Sequence, residues 1–159
     1  GVPELINRKN LFIQVQLQTT MQGMDRLNLY QFKQNEEPSF IDSWVKGTTL
    51  NAEIPSLGNF IVLEDSLPPE IMKPELVTLG NGMQTYMIKT HDDLSGIDFK
   101  SALFRINGTQ GIPEYDYENN SFTFYLPKFN LEPENNIYLE VSDRAGNFTY
   151  TSFLLKIKQ

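Results

Sequence analysis

Two adjacent prolines, Pro68 and Pro69, constrain this chain more than any other feature. Each locks φ and lacks an N–H donor, and each pushes its predecessor toward extended geometry, so neither a helix nor a strand ladder runs through the pair. The stretch Asp65-Ser66-Leu67-Pro68-Pro69-Glu70 therefore reads as a hinge, and what flanks it on both sides reads as short strands. The expected organisation is a lead-in over residues 1–10, a small all-β module over 11–64, a Pro-rich hinge over 65–75 and a β-sandwich over 76–159. With 159 residues in all, the first module is of a size at which burial on folding is modest and independent stability marginal.

Alternation supplies the strands. Leu11, Ile13, Val15 and Leu17 interleave with Phe12, Gln14, Gln16 and Gln18, the period of two that marks a half-buried strand with its Gln row toward water. A turn at Gln22-Gly23-Met24-Asp25 precedes a second strand over Arg26 to Lys33. Further strands are expected at Ser43 to Lys46, Thr49 to Ile54 and Asn59 to Glu64, separated by turns at Gly47 and Gly58. Trp44 is expected as the core anchor of this module, with ligand stacking as the lesser alternative. The run Phe60-Ile61-Val62-Leu63 is apolar on both faces, which suits a central or covered strand.

Beyond the hinge, strands recur near Leu76 to Leu79, Thr85 to Thr90, Ala102 to Asn107, Ser121 to Leu126, Ile137 to Ser142 and Phe148 to Lys158, the spacing of a sandwich. Asn107-Gly108, Glu118-Asn119-Asn120 and Gly146-Asn147 supply residues that tolerate positive φ at hairpin turns. In the last strand Phe148 and Tyr150 suit one frame and Phe153, Leu155 and Ile157 the other; a bulge near Ser152 would reconcile them.

Charge and composition narrow the partners. Formal net charge is −7, and both halves are acidic: five cations and eight anions precede Glu70, eight and twelve follow from it. A chain without a basic cluster is a poor ligand for nucleic acid or anionic membranes, and no apolar run approaches the ~20 residues of a membrane helix. The lack of cysteine excludes disulfides, thiolate zinc sites and cysteine nucleophiles. The opening Gly1-Val2-Pro3 reads as a cleaved boundary, with a targeting signal or further domain expected upstream.

Catalytic patterns are sparse. His91 is the single histidine, too few for a zinc centre with its neighbours, and it reads as structural or solvated. Gly80-Asn81-Gly82 lacks the third glycine and following helix of a dinucleotide fingerprint. Asp92 and Asp93 in one loop, with Asp143 and Asn147 in another, could share one end of the sandwich and offer oxygen ligands to calcium; the stronger expectation is that they shape turns. Tyr115, Asp116, Tyr117 and Tyr125 combine rings and a carboxylate that could contact a glycan, although cross-strand pairing explains the rings equally. Asn107, Asn119 and Asn147 each begin an N-x-[ST] sequon.

The residues also resemble a known bacterial arrangement. Val45-Lys46-Gly47 through Leu57-Gly58-Asn59-Phe60, Val62 and Asp65-Ser66-Leu67-Pro68-Pro69-Glu70-Ile71 resemble the region that follows the catalytic domain in M23 (lysostaphin-like) zinc metallopeptidases of the Bacteroidetes envelope. Asp92-Asp93-Leu94-Ser95-Gly96-Ile97, Ile106-Asn107-Gly108, Glu114-Tyr115-Asp116 and Val141-Ser142-Asp143-Arg144-Ala145-Gly146-Asn147 are similar to the immunoglobulin-like domain that ends those proteins. The likeness implies an extracytoplasmic, non-catalytic accessory region in the periplasm or at the cell surface, with a peptidoglycan endopeptidase domain upstream as its partner. The rival expectation is an adhesion or carbohydrate-binding immunoglobulin-like module. Under both, the chain carries no catalytic constellation of its own and needs no cofactor other than calcium, if any.

Overall fold

In a computed structural model the protein is all-β, and residues 11–18, 24–80, 82, 84–124 and 132–156 are described. The expected lead-in over 1–10, Gln22 and Gly23 of the first turn, Asn81, Tyr125, Leu126 and Ile157 lie outside them. The chain divides into two compact units, Gly1–Ser66 and Leu67–Gln159.

The first unit holds β1 (Leu11–Gln16), β2 (Leu27–Phe32), β3 (Ser39–Ile41), β4 (Ser43–Lys46), β5 (Thr49–Ile54) and β6 (Asn59–Glu64), with a turn of 3₁₀ helix at Met24–Arg26. They form two antiparallel sheets of three, ordered β1-β5-β4 and β3-β2-β6. Alternation turns one side of each sheet inward: Leu29, Leu50, Ala52 and Ile54 are buried, with Ile13, Val15, Ile41, Val45, Phe60 and Val62 packed on them. Ser43 ties the two sheets together, its hydroxyl accepting the Leu29 N–H at 3.0 Å and meeting the Asn28 Oδ1 at 3.2 Å.

Two expectations for this unit are corrected. Trp44 is 50% exposed rather than a core anchor. It pairs across the ladder with Asn51 on the polar side of the sheet, whereas Val45 opposite Leu50 faces the core. Among the described residues the apolar strand β6 is an edge strand paired with β2, not a central one, and its Ile61 is exposed.

The second unit packs two sheets face to face. One is ordered β11-β10-β14-β15, built from β10 (Ile97–Ile106), β11 (Thr109–Gly111), β14 (Glu134–Asp143) and β15 (Phe148–Lys156). The other contains β12 (Pro113–Asp116), β13 (Ser121–Phe124) and β9 (Gln84–His91), whose free edge is lined in turn by β8 (Glu75–Thr78) and β7 (Glu70–Ile71). The core draws on both: Tyr86, Ile88, Phe122 and Phe124 from one, Ile97, Phe104, Ile106, Ile137, Leu139 and Val141 from the other. Phe104 stacks on Phe124 across the interface, and the buried Thr85 hydroxyl donates to the Phe124 carbonyl.

Glu70 and Ile71, expected within the hinge, pair with His91 and Thr90. The prolines forbid pairing only at their own positions, and the next residue carries an N–H again. The bulge expected near Ser152 is absent, since β15 pairs with β14 without interruption from Phe148 opposite Ser142 to Lys156 opposite Glu134. Thr149, Thr151, Phe153 and Leu155 take the less exposed side, and Phe148 and Tyr150 stay exposed. The irregularity lies in β10 instead, where the register with β14 shifts between Asp98 and Leu103.

These positions set the expected response to truncation. Phe104→Ala, which empties a fully buried ring site, should cost about 3–5 kcal/mol in urea unfolding. Trp44→Ala should cost less than about 1 kcal/mol, and a loss as large as that of Phe104→Ala would return Trp44 to the core.

Candidate functional site

The loop from β9 to β10 is built by one carboxylate. Asp92 Oδ2 accepts the N–H of Gly96 at 2.6 Å, the N–H of Leu94 at 3.3 Å and the Ser95 hydroxyl at 3.4 Å. This is the Asx geometry by which a short acidic side chain replaces backbone partners in a turn. Gly96 closes the loop at φ 78°, where a side chain would be strained.

The hairpin from β14 to β15 repeats the device. Asp143, 2% exposed, accepts the Asn147 N–H on Oδ1 at 2.8 Å and the Asn147 side-chain amide on Oδ2 at 2.7 Å. Its own N–H donates to the Asn147 carbonyl at 2.9 Å, and Gly146 supplies φ 89°. The two loops then join, because Arg144 N–H donates to Gly96 O at 3.0 Å and Ala145 N–H to Ser95 Oγ at 3.3 Å. Asp92 and Asp143 consequently present carboxylate oxygens within 4.8 Å of one another.

Of the four expected calcium ligands, Asp92 and Asp143 are brought together, and Asn147 lies with them as a donor to Asp143. Asp93 is not recruited. Its side chain is exposed and meets His91 Nε2 at 2.7 Å, an exposed pair of the kind that contributes little to stability. Paired hard oxygens suit a divalent cation, but both carboxylates already accept hydrogen bonds from their own loops.

The aromatic candidates form a separate cluster. Tyr115 lies flat against Phe99, with centroids 5.6 Å apart and planes at 8°. Tyr117 meets both rings edge-on at 5.1 Å and is 63% exposed. Phe99, which sequence reasoning passed over, is a third ring in contact with both. Asp116 is not part of the platform: strand alternation turns it from Tyr115, and it accepts from Glu118 N–H at 2.9 Å and from the Asn119 amide at 2.7 Å. The Asn119 bond is the main reason its carboxyl is held below the ordinary range. Tyr125 lies outside the described residues.

All three sequon asparagines use their amide nitrogens internally: Asn107 donates to Asn135, Asn119 to Asp116 and Asn147 to Asp143. Burial raises the phenol pKa of Tyr86 and Tyr115 above the ordinary 10.0. At Tyr138 the leading cause of a rise is its 2.6 Å hydrogen bond to Glu140.

Compared with protein-family models, curated proteins and solved structures, the chain matches none.

Two outcomes are expected. Asp92→Ala, which leaves three donors without their acceptor, should destabilise by about 2 kcal/mol, against less than about 0.5 for Asp93→Ala; equal losses would disprove the loop assignment. Because raised phenol pKa values mean that the unfolded chain releases those protons first, stability should fall as pH rises past the ordinary tyrosine value of 10.0. Thermal melts paired with tyrosinate absorbance measure this, and Tyr138→Phe should lessen the fall.

Proposed function

We propose that this chain is a non-catalytic accessory region of an exported bacterial cell-envelope protein, a small all-β unit followed by an immunoglobulin-like sandwich. Its partner is a zinc endopeptidase domain upstream in the same polypeptide, which it positions at peptidoglycan. The observation that carries the reading is the use made of the polar side chains. Asp92, Asp116, Asp143 and Asn147, the residues with the most chemical potential in the sequence, all build turns. Hydrogen bonding of this completeness makes a stiff spacer. The family resemblance supplies the envelope setting and the enzyme.

A second reading, an adhesion or carbohydrate-binding module, has one observation in its favour: the exposed Tyr117 ring beside Tyr115 and Phe99. Co-sedimentation with purified peptidoglycan sacculi, with and without calcium, separates the two. The positioning role predicts that neither calcium nor Tyr117→Ala changes how this chain divides between pellet and supernatant. Pelleting that Tyr117→Ala abolishes would replace it with the second reading, and a calcium requirement would assign the Asp92 and Asp143 loops to the bound state. For the parent enzyme the test is the coding sequence upstream of Gly1, where a domain without paired zinc-binding histidines would refute the peptidase assignment.

A further inference from the structure

The outer side of the β1-β5-β4 sheet carries an arrangement that core packing does not explain. Register fixes its membership: Phe12 lies opposite Glu53, Gln14 opposite Asn51 and Gln16 opposite Thr49, while Trp44 and Lys46 lie opposite Asn51 and Thr49 from the other edge. Residues one step along each strand fill the core, so this side faces solvent. Among its polar residues stand two large rings, Phe12 at 55% and Trp44 at 50% exposure, with centroids 6.0 Å apart and planes tilted by 52°.

The polar groups around the rings are ordered before any ligand arrives. Asn51, buried in the middle of the face, takes the Gln14 amide on Oδ1 at 3.0 Å and donates to the carbonyls of Trp44 and Thr49. Gln16 donates to the Thr48 hydroxyl at 2.7 Å and accepts from the Thr49 hydroxyl at 3.2 Å. Half-exposed rings framed by fixed amides and hydroxyls match a ligand that is apolar on one face and hydroxylated at its rim. That is the chemistry of a pyranose ring. Charge points the same way: Lys46 and Glu53 balance across the face, which suits an uncharged ligand and disfavours a phosphate or an anionic lipid surface.

We propose that this face of the first unit binds a neutral glycan chain, with Trp44 and Phe12 stacking against sugar rings and the Gln14 and Gln16 side-chain oxygens accepting from sugar hydroxyls. The site is separate from the Tyr115 cluster and shares with the second reading above only its ligand class.

Trp44 is the single tryptophan of the chain, so its fluorescence reports this face and no other. Titration of the full chain with soluble cello- and chito-oligosaccharides should give a saturable blue shift and reduced quenching by acrylamide. Phe12→Ala, at an exposed position, should keep the fold by circular dichroism and weaken binding by about tenfold, whereas Tyr117→Ala should leave the titration unchanged. Loss of the signal in Tyr117→Ala would overturn the assignment to this face and favour the sandwich cluster. No shift with either sugar series, or a shift that Phe12→Ala leaves intact, would overturn the proposal. A shift produced by raising protein concentration alone, or by phosphatidylcholine vesicles in place of sugar, would also overturn it, giving the face to a second copy or to a lipid surface.

Discussion

A carboxylate removed from water is tolerated only where hydrogen bonds replace its hydration, and the sandwich unit is arranged around such a case at Asp143. Asn147 satisfies it twice, through backbone and side chain, which fixes the hairpin and with it the register of β14 on β15. The neighbouring residues Arg144 and Ala145 then capture the β9–β10 loop through Gly96 and Ser95, holding the end of β10 against β14 where Ile97 lies opposite Asp143. At the other end of the same strand pair, Asn135 accepts from the Asn107 amide and the Glu132 N–H, and Asn107 Oδ1 accepts from Asn136 N–H. The apolar core between these ends supplies most of the free energy, but the polar ends select which of the possible strand alignments it is spent on.

The strands legible from sequence were those whose state is decided locally. Ser43–Lys46, Thr49–Ile54 and Asn59–Glu64 coincide with the alternation and its flanking glycines. The strands that escaped notice, Ser39–Ile41, Glu70–Ile71, Thr109–Gly111 and Pro113–Asp116, are short or rich in Gly and Pro. They are too short for alternation to register, and each is a strand because a neighbour offers it a ladder. Local pattern carries no information about such a partner.

Aromatic residues produced the opposite error. Ring size argued for burial at Trp44, and it argued for a bulge that would turn both Phe148 and Phe153 inward. In both cases register prevailed over side-chain volume, because a single-residue slip would have moved every other inward residue of the strand to water. Phe12 illustrates the signal that was available: it occupies the same phase as Gln14 and Gln16, so the strand that exposes the glutamines must expose the ring as well.

The candidate sites were legible to different depths for a related reason. That the Asp92 loop and the Asp143 hairpin share one end of the sandwich follows from strand order, and both turned out to carry the same device of an acidic residue closing a turn through a glycine at positive φ. Which carboxylates converge depends on side-chain direction, and there Asp93 departs toward His91. The same distinction separates Tyr115 from Asp116, adjacent in sequence and opposite in direction. With these acidic groups committed to turns, exposed rings carry a capacity for recognition, among them Tyr117 beside Phe99 on the sandwich and Trp44 beside Phe12 on the first unit. The second pair differs in its frame, since the Gln14, Asn51 and Gln16 amides around it are already fixed by bonds within the sheet, and a ligand meeting fixed donors and acceptors forgoes the entropic cost of ordering them.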